Sequence, residues 1–158
     1  MAKRSKKNKN TAQTIWCICF ILYMGLMIWL LFCRTQVWIE GLSYRQMLQE
    51  NINLKPLYTI KNYINVILHY PESTYYRHCI INLIGNVLMF IPAGFLLPRL
   101  FKPLRKFFPF LLTVLICILF VELLQLFALV GSFDIDDIIL NLSGVLMGYL
   151  LFKCTVKK

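Results

Sequence analysis

Four stretches of apolar residues follow one another along the chain, each eighteen to twenty-two residues long. They cover residues 15–33, 79–98, 109–130 and 135–152. An α-helix of about 20 residues crosses a hydrocarbon core of about 30 Å, so each stretch is long enough to span a membrane. The pattern therefore predicts an all-α integral membrane protein, built as a four-helix transmembrane bundle.

The amino-acid composition supports a membrane protein and excludes two other classes. The chain has 158 residues, of which 59% are hydrophobic and 15% are charged, whereas soluble domains are about 45–50% apolar and about 25% charged. A soluble domain of this size has too small an interior to bury so much apolar surface. A disordered chain is excluded as well, because such chains are poor in aromatic and aliphatic residues.

The basic residues predict the orientation in the membrane. The formal net charge is +10. Twelve of the seventeen lysines and arginines flank the apolar stretches on one side: Lys3, Arg4, Lys6, Lys7, Lys9, Arg99, Lys102, Arg105, Lys106, Lys153, Lys157 and Lys158. By the positive-inside rule this is the cytoplasmic side of the cell membrane, so both termini are expected in the cytoplasm. The orientation in the membrane is enough to explain the excess of positive charge. We therefore expect no nucleic-acid partner.

This orientation divides the chain into a basic cytoplasmic N-terminus (1–14), a transmembrane domain (15–152) and a basic cytoplasmic tail (153–158). An outer loop, residues 34–78, joins the first two spans. Within the loop, residues 58–70 predict an amphipathic helix whose polar side chains share one face. Such a helix lies in the membrane interface. A simple cap over the outer end of the bundle is an equally compatible interpretation.

Two cysteines stand at the outer ends of the first two spans. Cys33 ends the first stretch and Cys79 begins the second. A disulfide between them is conceivable, but it requires a Cα separation below about 7 Å, which a sequence alone leaves open.

Polar residues within three of the spans are predicted to lie at a similar depth. Within each span these residues are three or four positions apart, which puts them on one face of the helix. A rise of about 1.5 Å per residue puts them about 5–14 Å from the outer ends of their spans. Polar groups are costly in hydrocarbon and usually mark function. We therefore expect one outward-facing pocket for a ligand, lined by Asn82, Asn86, Glu122, Gln125, Asp134, Asp137 and Asn141.

Several of these residues also have a purely structural interpretation. Asp134 is placed to cap the fourth helix, with Asp136 in its first turn, and the amides can join helices at about 0.6 kcal/mol per bond. Glu122 is the strongest functional candidate, because a carboxyl group about 12 Å deep must be protonated or paired. Together with Asp137 it offers oxygen ligands for a divalent cation such as Mg²⁺ or Ca²⁺. No spacing specifies such a site, so we expect no cofactor.

Small residues and a proline predict how the spans pack. Gly144 and Gly148 lie one turn apart in the fourth stretch, where they allow a neighbouring backbone to approach closely. Pro92 and Gly94 lie in the second stretch. Because proline has no N–H, Pro92 frees the carbonyl group of Leu88, which predicts a kink there.

Four motifs resemble those of the VanZ family of membrane proteins. They are NLKPLYTI at 53–60, RHCIINLIGNVLMFIPAG at 77–94, ELLQ at 122–125 and DIDDIILNLSGVLMG at 134–148. The resemblance extends from about residue 15 to residue 152. Two departures stand out: Leu57 replaces a usual Phe, and Gly131-Ser132 occupies the place where many members carry an Arg.

The resemblance implies a role in resistance to the glycopeptide antibiotic teicoplanin or a related role in the cell envelope. The leading hypothesis is a non-enzymatic protein whose outward-facing polar pocket binds a lipid-linked or glycopeptide ligand. The alternative is an intramembrane enzyme that acts on lipid-linked envelope substrates through Glu122 and Asp137. A small carrier or channel ranks third, because the inner half of the spans carries no comparable polar residues.

Overall fold

A computed structural model describes residues 2–33 and 39–156, with side chains described at residues 11, 13–33 and 39–156. The helices are α1 (Ala2–Phe32), α2 (Tyr44–Glu50), α3 (Tyr58–His69), α4 (Tyr76–Leu100), α5 (Phe107–Phe127) and α6 (Ile135–Val156). Two short strands, β1 (Ile52–Asn53) and β2 (Phe133–Asp134), and a 3-10 helix at Lys102–Arg105 complete the described elements. The basic side chains at 3–9, loop residues 34–38 and the tail lysines 157 and 158 lie outside the described part.

Within the described residues, four helical segments are long and apolar enough to cross a membrane: Gln13–Phe32, Tyr76–Leu100, Phe107–Phe127 and Ile135–Val156. The prediction of an all-α protein with four candidate membrane spans is thereby confirmed. The second and fourth spans extend a few residues beyond their predicted limits, which were set by the loss of apolar character rather than by the end of the helix.

The third span ends earlier than its apolar run. Hydrophobicity predicted a helix to residue 130, but α5 ends at Phe127. Leu129 adopts a left-handed backbone conformation with φ of 53°, which ends the helix and redirects the chain towards β2. The helix thus ends three residues before the apolar run does, because Leu129 and Val130 are buried in a turn and not in a helix.

Helices α4 and α6 pack backbone against backbone. A β-carbon on Gly148 would overlap the carbonyl oxygen of Ile91, and one on Gly144 would overlap that of Val87. The facing Gly94 has no room for a β-carbon either. This close approach is the geometry that small residues permit between membrane helices. Helix α4 itself is continuous through Pro92.

Helix α1 is attached more loosely than the other spans. Ile21, Leu22 and Trp29 on its surface are all more than 60% exposed, as expected for side chains that face lipid. The Tyr23 hydroxyl donates to the carbonyl oxygen of Met89 on α4 at 2.9 Å. This bond holds the middle of α1 against the α4–α6 pair.

Helices α2 and α3 with strand β1 form a cap, here defined as residues 39–75, over one end of the bundle. Strand β1 pairs in parallel with β2, which directly precedes α6. Helix α2 was not predicted, although Ser43 and Gln46 form the capping box that marks a helix start. Helix α3 occupies the segment in which an amphipathic helix is predicted.

Cys33 and Cys79 are both free thiols. Cys79 is completely buried near the start of α4, whereas Cys33 is exposed at the end of α1. The disulfide considered from the sequence is therefore not formed in this structure.

Candidate functional site

A cavity of about 980 Å³ lies at the end of the bundle that the cap covers. Its wall combines the last turn of α1, the first turns of α4 and α6, the last turns of α5, and residues of the cap. All seven residues of the predicted pocket line this one cavity: Asn82, Asn86, Glu122, Gln125, Asp134, Asp137 and Asn141. Their hydrogen bonds divide them into three groups.

The first group joins α4 to α6. The Asn86 amide nitrogen donates to Oδ1 of Asn82 at 3.0 Å and to Oδ1 of Asp137 at 2.7 Å. Asn86 is buried, while Asn82 and Asp137 are partly accessible from the cavity. A single amide thus supplies both of its hydrogens to oxygen acceptors and holds the Asp137 carboxylate against α4.

The second group joins α5 to α6 at the bottom of the cavity. The Asn141 amide nitrogen donates to Oε1 of Glu122 at 3.0 Å. Glu122 is 3% exposed and Asn141 is 2% exposed. The Oδ1 atom of Asn141 is also buried, and it accepts no hydrogen bond from any residue that the structure describes. Since buried polar atoms are normally satisfied, this acceptor is an unusual feature of the cavity floor.

The remaining two residues, Gln125 and Asp134, connect elements of the fold. The Gln125 amide nitrogen donates to the carbonyl oxygen of Leu31 at 3.0 Å and so fastens the end of α1 to α5. Asp134 precedes α6 and accepts the backbone N–H of Asp136 at 2.8 Å, the typical bond of an N-cap. Its second oxygen accepts from the Thr59 hydroxyl at 2.6 Å. Asp134 therefore ties α6 to the cap in addition to lining the cavity.

Asp136 caps a different helix from the one that contains it. Its carboxylate accepts the backbone N–H groups of Leu57 at 2.5 Å and Ile60 at 3.0 Å. Leu57 precedes α3 in a left-handed conformation and offers no side-chain cap of its own. The completely buried Asp136 thus satisfies N–H groups at the start of α3, a role that spacing within the sequence could not have assigned.

Three aromatic side chains that line the cavity were not predicted from the sequence. Tyr75 and His78 stack with ring centroids 4.8 Å apart, and the Tyr63 hydroxyl lies 3.4 Å from Nε2 of His78. Burial raises the pKa of the Tyr63 phenol above its ordinary value. His78 precedes Asn82 and Asn86 at four-residue steps, a spacing that could have placed it on the cavity face of α4.

No set of three or more His, Cys, Asp or Glu side chains within the described residues is arranged to hold a metal ion. Two of the three carboxyl groups that line the cavity bond to asparagines in separate groups, Glu122 with Asn141 and Asp137 with Asn86. The arrangement presents oxygen acceptors to a ligand from two sides of the cavity.

Fold and site define the class: a four-span helical membrane protein with a polar cavity at one end of its bundle. A family model described as VanZ/LLP1 matches residues 20–156. Protein VanZ of Enterococcus faecium is 31% identical over 136 residues, which cover 86% of this chain and 72% of that protein. The chain therefore belongs to the VanZ/LLP1 family, as its motifs predicted. No solved structure matches the chain.

Proposed function

We propose that this protein acts in cell-envelope physiology or glycopeptide resistance by binding a lipid-linked or amphiphilic ligand in its polar cavity. The observation that carries the proposal is the cavity of about 980 Å³ that gathers the polar residues of three spans. Polar and ionisable side chains within spans are costly and mark functional sites. Membership of the VanZ/LLP1 family supports teicoplanin as the first antibiotic to test.

The proposal includes an orientation, with both termini in the cytoplasm and the cavity at the outer face of the cell membrane. Arg99, Lys102, Arg105 and Lys106 lie around the end of α4 and the start of α5, at the end of the bundle opposite the cap. Excess Lys and Arg in short loops marks the cytoplasmic side. Exposed apolar side chains on α3, including Leu68 at 68% exposure, support a cap that lies in the membrane interface.

This orientation predicts which cysteines react from outside the cell. In a cysteine-free background we expect Glu72→Cys in the cap to react with a membrane-impermeant maleimide on intact cells, because Glu72 is exposed. A variant that retains only Cys154 should react only after permeabilisation. Labelling of intact cells at Cys154 but not at position 72 would reverse the orientation.

We favour binding over catalysis for this cavity. Glu122 and Asp137 each accept a hydrogen bond from an asparagine amide, which suits fixed acceptors that hold a ligand. We propose no resident cofactor, and the bilayer as the partner from which the ligand enters.

The binding proposal predicts loss of resistance when the cavity is altered. In a strain whose teicoplanin resistance depends on this protein, we expect Glu122→Gln and Asn86→Ala to lower the inhibitory concentration to that of cells without the gene. Loss of a hydrogen bond to a charged group costs about 1.5–3 kcal/mol, which is at least about tenfold in affinity.

The matched control is Ser143→Ala. Ser143 is an exposed polar residue of α6 that bonds only within its own helix, to the carbonyl oxygen of Ile139. It should leave susceptibility unchanged at equal membrane abundance. Unchanged susceptibility in both cavity variants would refute the proposal.

A further inference from the structure

A second, wholly apolar crevice lies beside the polar cavity. It has a volume of about 240 Å³ and is formed by side chains of α1, α4, α5 and α6, among them Met27, Phe90, Val114 and Ile118. An apolar cavity of about 150 Å³ is large enough to bind benzene. This crevice can therefore accommodate a stretch of alkyl chain.

The crevice and the polar cavity adjoin at Leu31. This side chain lines both spaces and is 6% exposed. Helix α1 is fastened at either end of the crevice, by the Tyr23 bond to α4 and by the Gln125 bond to the Leu31 carbonyl oxygen. An alkyl chain in the crevice would thus run along α1 and reach the polar cavity past Leu31.

The chemistry of the cavity specifies the head group of such a ligand. Three carboxyl groups line it, those of Glu122, Asp134 and Asp137, and no lysine or arginine lines it among the residues that the structure describes. On the same wall, the buried Oδ1 atom of Asn141 has no donor within the described part of the chain. Carboxylate and amide oxygens accept hydrogen bonds, and carboxylates attract positive charge. They therefore favour a head group that donates hydrogen bonds and is positively charged.

We propose that the two spaces form one bipartite site for a single-chain amphiphile with an ammonium head group. The ammonium group binds in the polar cavity near Glu122 and Asn141, and the alkyl chain fills the crevice beside α1. This inference rests on the proposed function, because it names the ligand class for the same cavity.

The wild-type protein tests the proposal with simple probes. Binding is measured calorimetrically on the full-length protein in phosphatidylcholine nanodiscs, with empty nanodiscs subtracted. We expect dodecylamine to bind at least about tenfold more tightly than dodecanol or dodecanoate, as a charge-assisted hydrogen bond would give. Ethylamine, which lacks the chain, should not bind measurably. Equal affinities for the three dodecyl probes, or binding of ethylamine as tight as that of dodecylamine, would overturn the proposal.

Two variants separate the head-group and chain contributions. Glu122→Gln should remove the preference for amine over alcohol while dodecanol binding persists, a result that misfolding would not give. Leu31→Trp should weaken both probes by filling the junction. Leu22→Trp, on the exposed surface of α1, is the matched control and should change neither. An amine preference that survives Glu122→Gln would overturn the proposal.

These results are independent of the resistance assay. If Glu122→Gln abolishes resistance but dodecylamine binds no better than dodecanol, the ammonium-amphiphile proposal fails and the proposed function stands. If the amine preference depends on Glu122 but resistance does not, the bipartite site stands and the proposed function fails.

Discussion

Gly148→Val is expected to prevent α4 and α6 from packing and to remove most of the folded protein. A β-carbon at this position overlaps the carbonyl oxygen of Ile91 and lies 2.9 Å from Cα of Gly94. Because both obstacles are backbone atoms, a side-chain rotation cannot relieve the overlap. Overpacking usually costs about 1–3 kcal/mol, and here we expect at least about 3 kcal/mol, measured as a loss of thermal stability of the purified protein in detergent.

Gly25→Val is the matched control for this prediction. Gly25 lies in α1, and a β-carbon there meets nothing within 4 Å. Both variants replace a helical glycine of a membrane span by valine, so they differ mainly in what surrounds the new side chain. If Gly148→Val is as stable as Gly25→Val, close backbone packing of α4 against α6 does not hold the bundle together.

Asp136→Ala is expected to release the cap from the bundle. It would leave the backbone N–H groups of Leu57 and Ile60 without their acceptor. A lost N-cap costs about 0.5–2 kcal/mol, and a buried donor without a partner costs about 1–3 kcal/mol. We therefore expect a loss of about 2–4 kcal/mol in unfolding free energy, together with faster amide hydrogen exchange throughout α3.

Two further variants show whether this effect is specific. Asp136→Asn keeps one acceptor oxygen and should retain part of the protection of α3. Glu72→Ala removes an exposed acid of the cap and should leave exchange in α3 unchanged. If amide hydrogens of α3 exchange as slowly in Asp136→Ala as in the wild-type protein, the carboxylate does not hold the cap in place.

The spans could be predicted from the sequence because length and apolarity alone decide whether a helix crosses a bilayer. Their ends were less predictable. Val130 continues the apolar run of the third span, yet it lies beyond the helix because Leu129 turns the chain. The turn leads into β2, which pairs with β1 although their residues are about eighty positions apart in the chain.

The candidate site, too, could be predicted from the sequence only in part. Helical spacing was enough to put Asn82 and Asn86 on one face, and the structure places both on the cavity wall. Spacing gave no information about partners on other elements. Gln125 bonds to the backbone of α1, and Tyr63 reaches the cavity wall from the cap.

The class of protein, its four candidate spans and the set of polar residues available to a cavity could all be predicted from the sequence, since they depend on composition and on the period of a helix. The role of each acid became apparent only from its contacts in the folded protein. Asp134 and Asp136 hold the cap, while Asp137 and Glu122 bond to asparagines in the cavity. The physical reason is that the role of a carboxylate depends on which donors lie within hydrogen-bond distance. In this protein most of those donors come from another helix or from the cap.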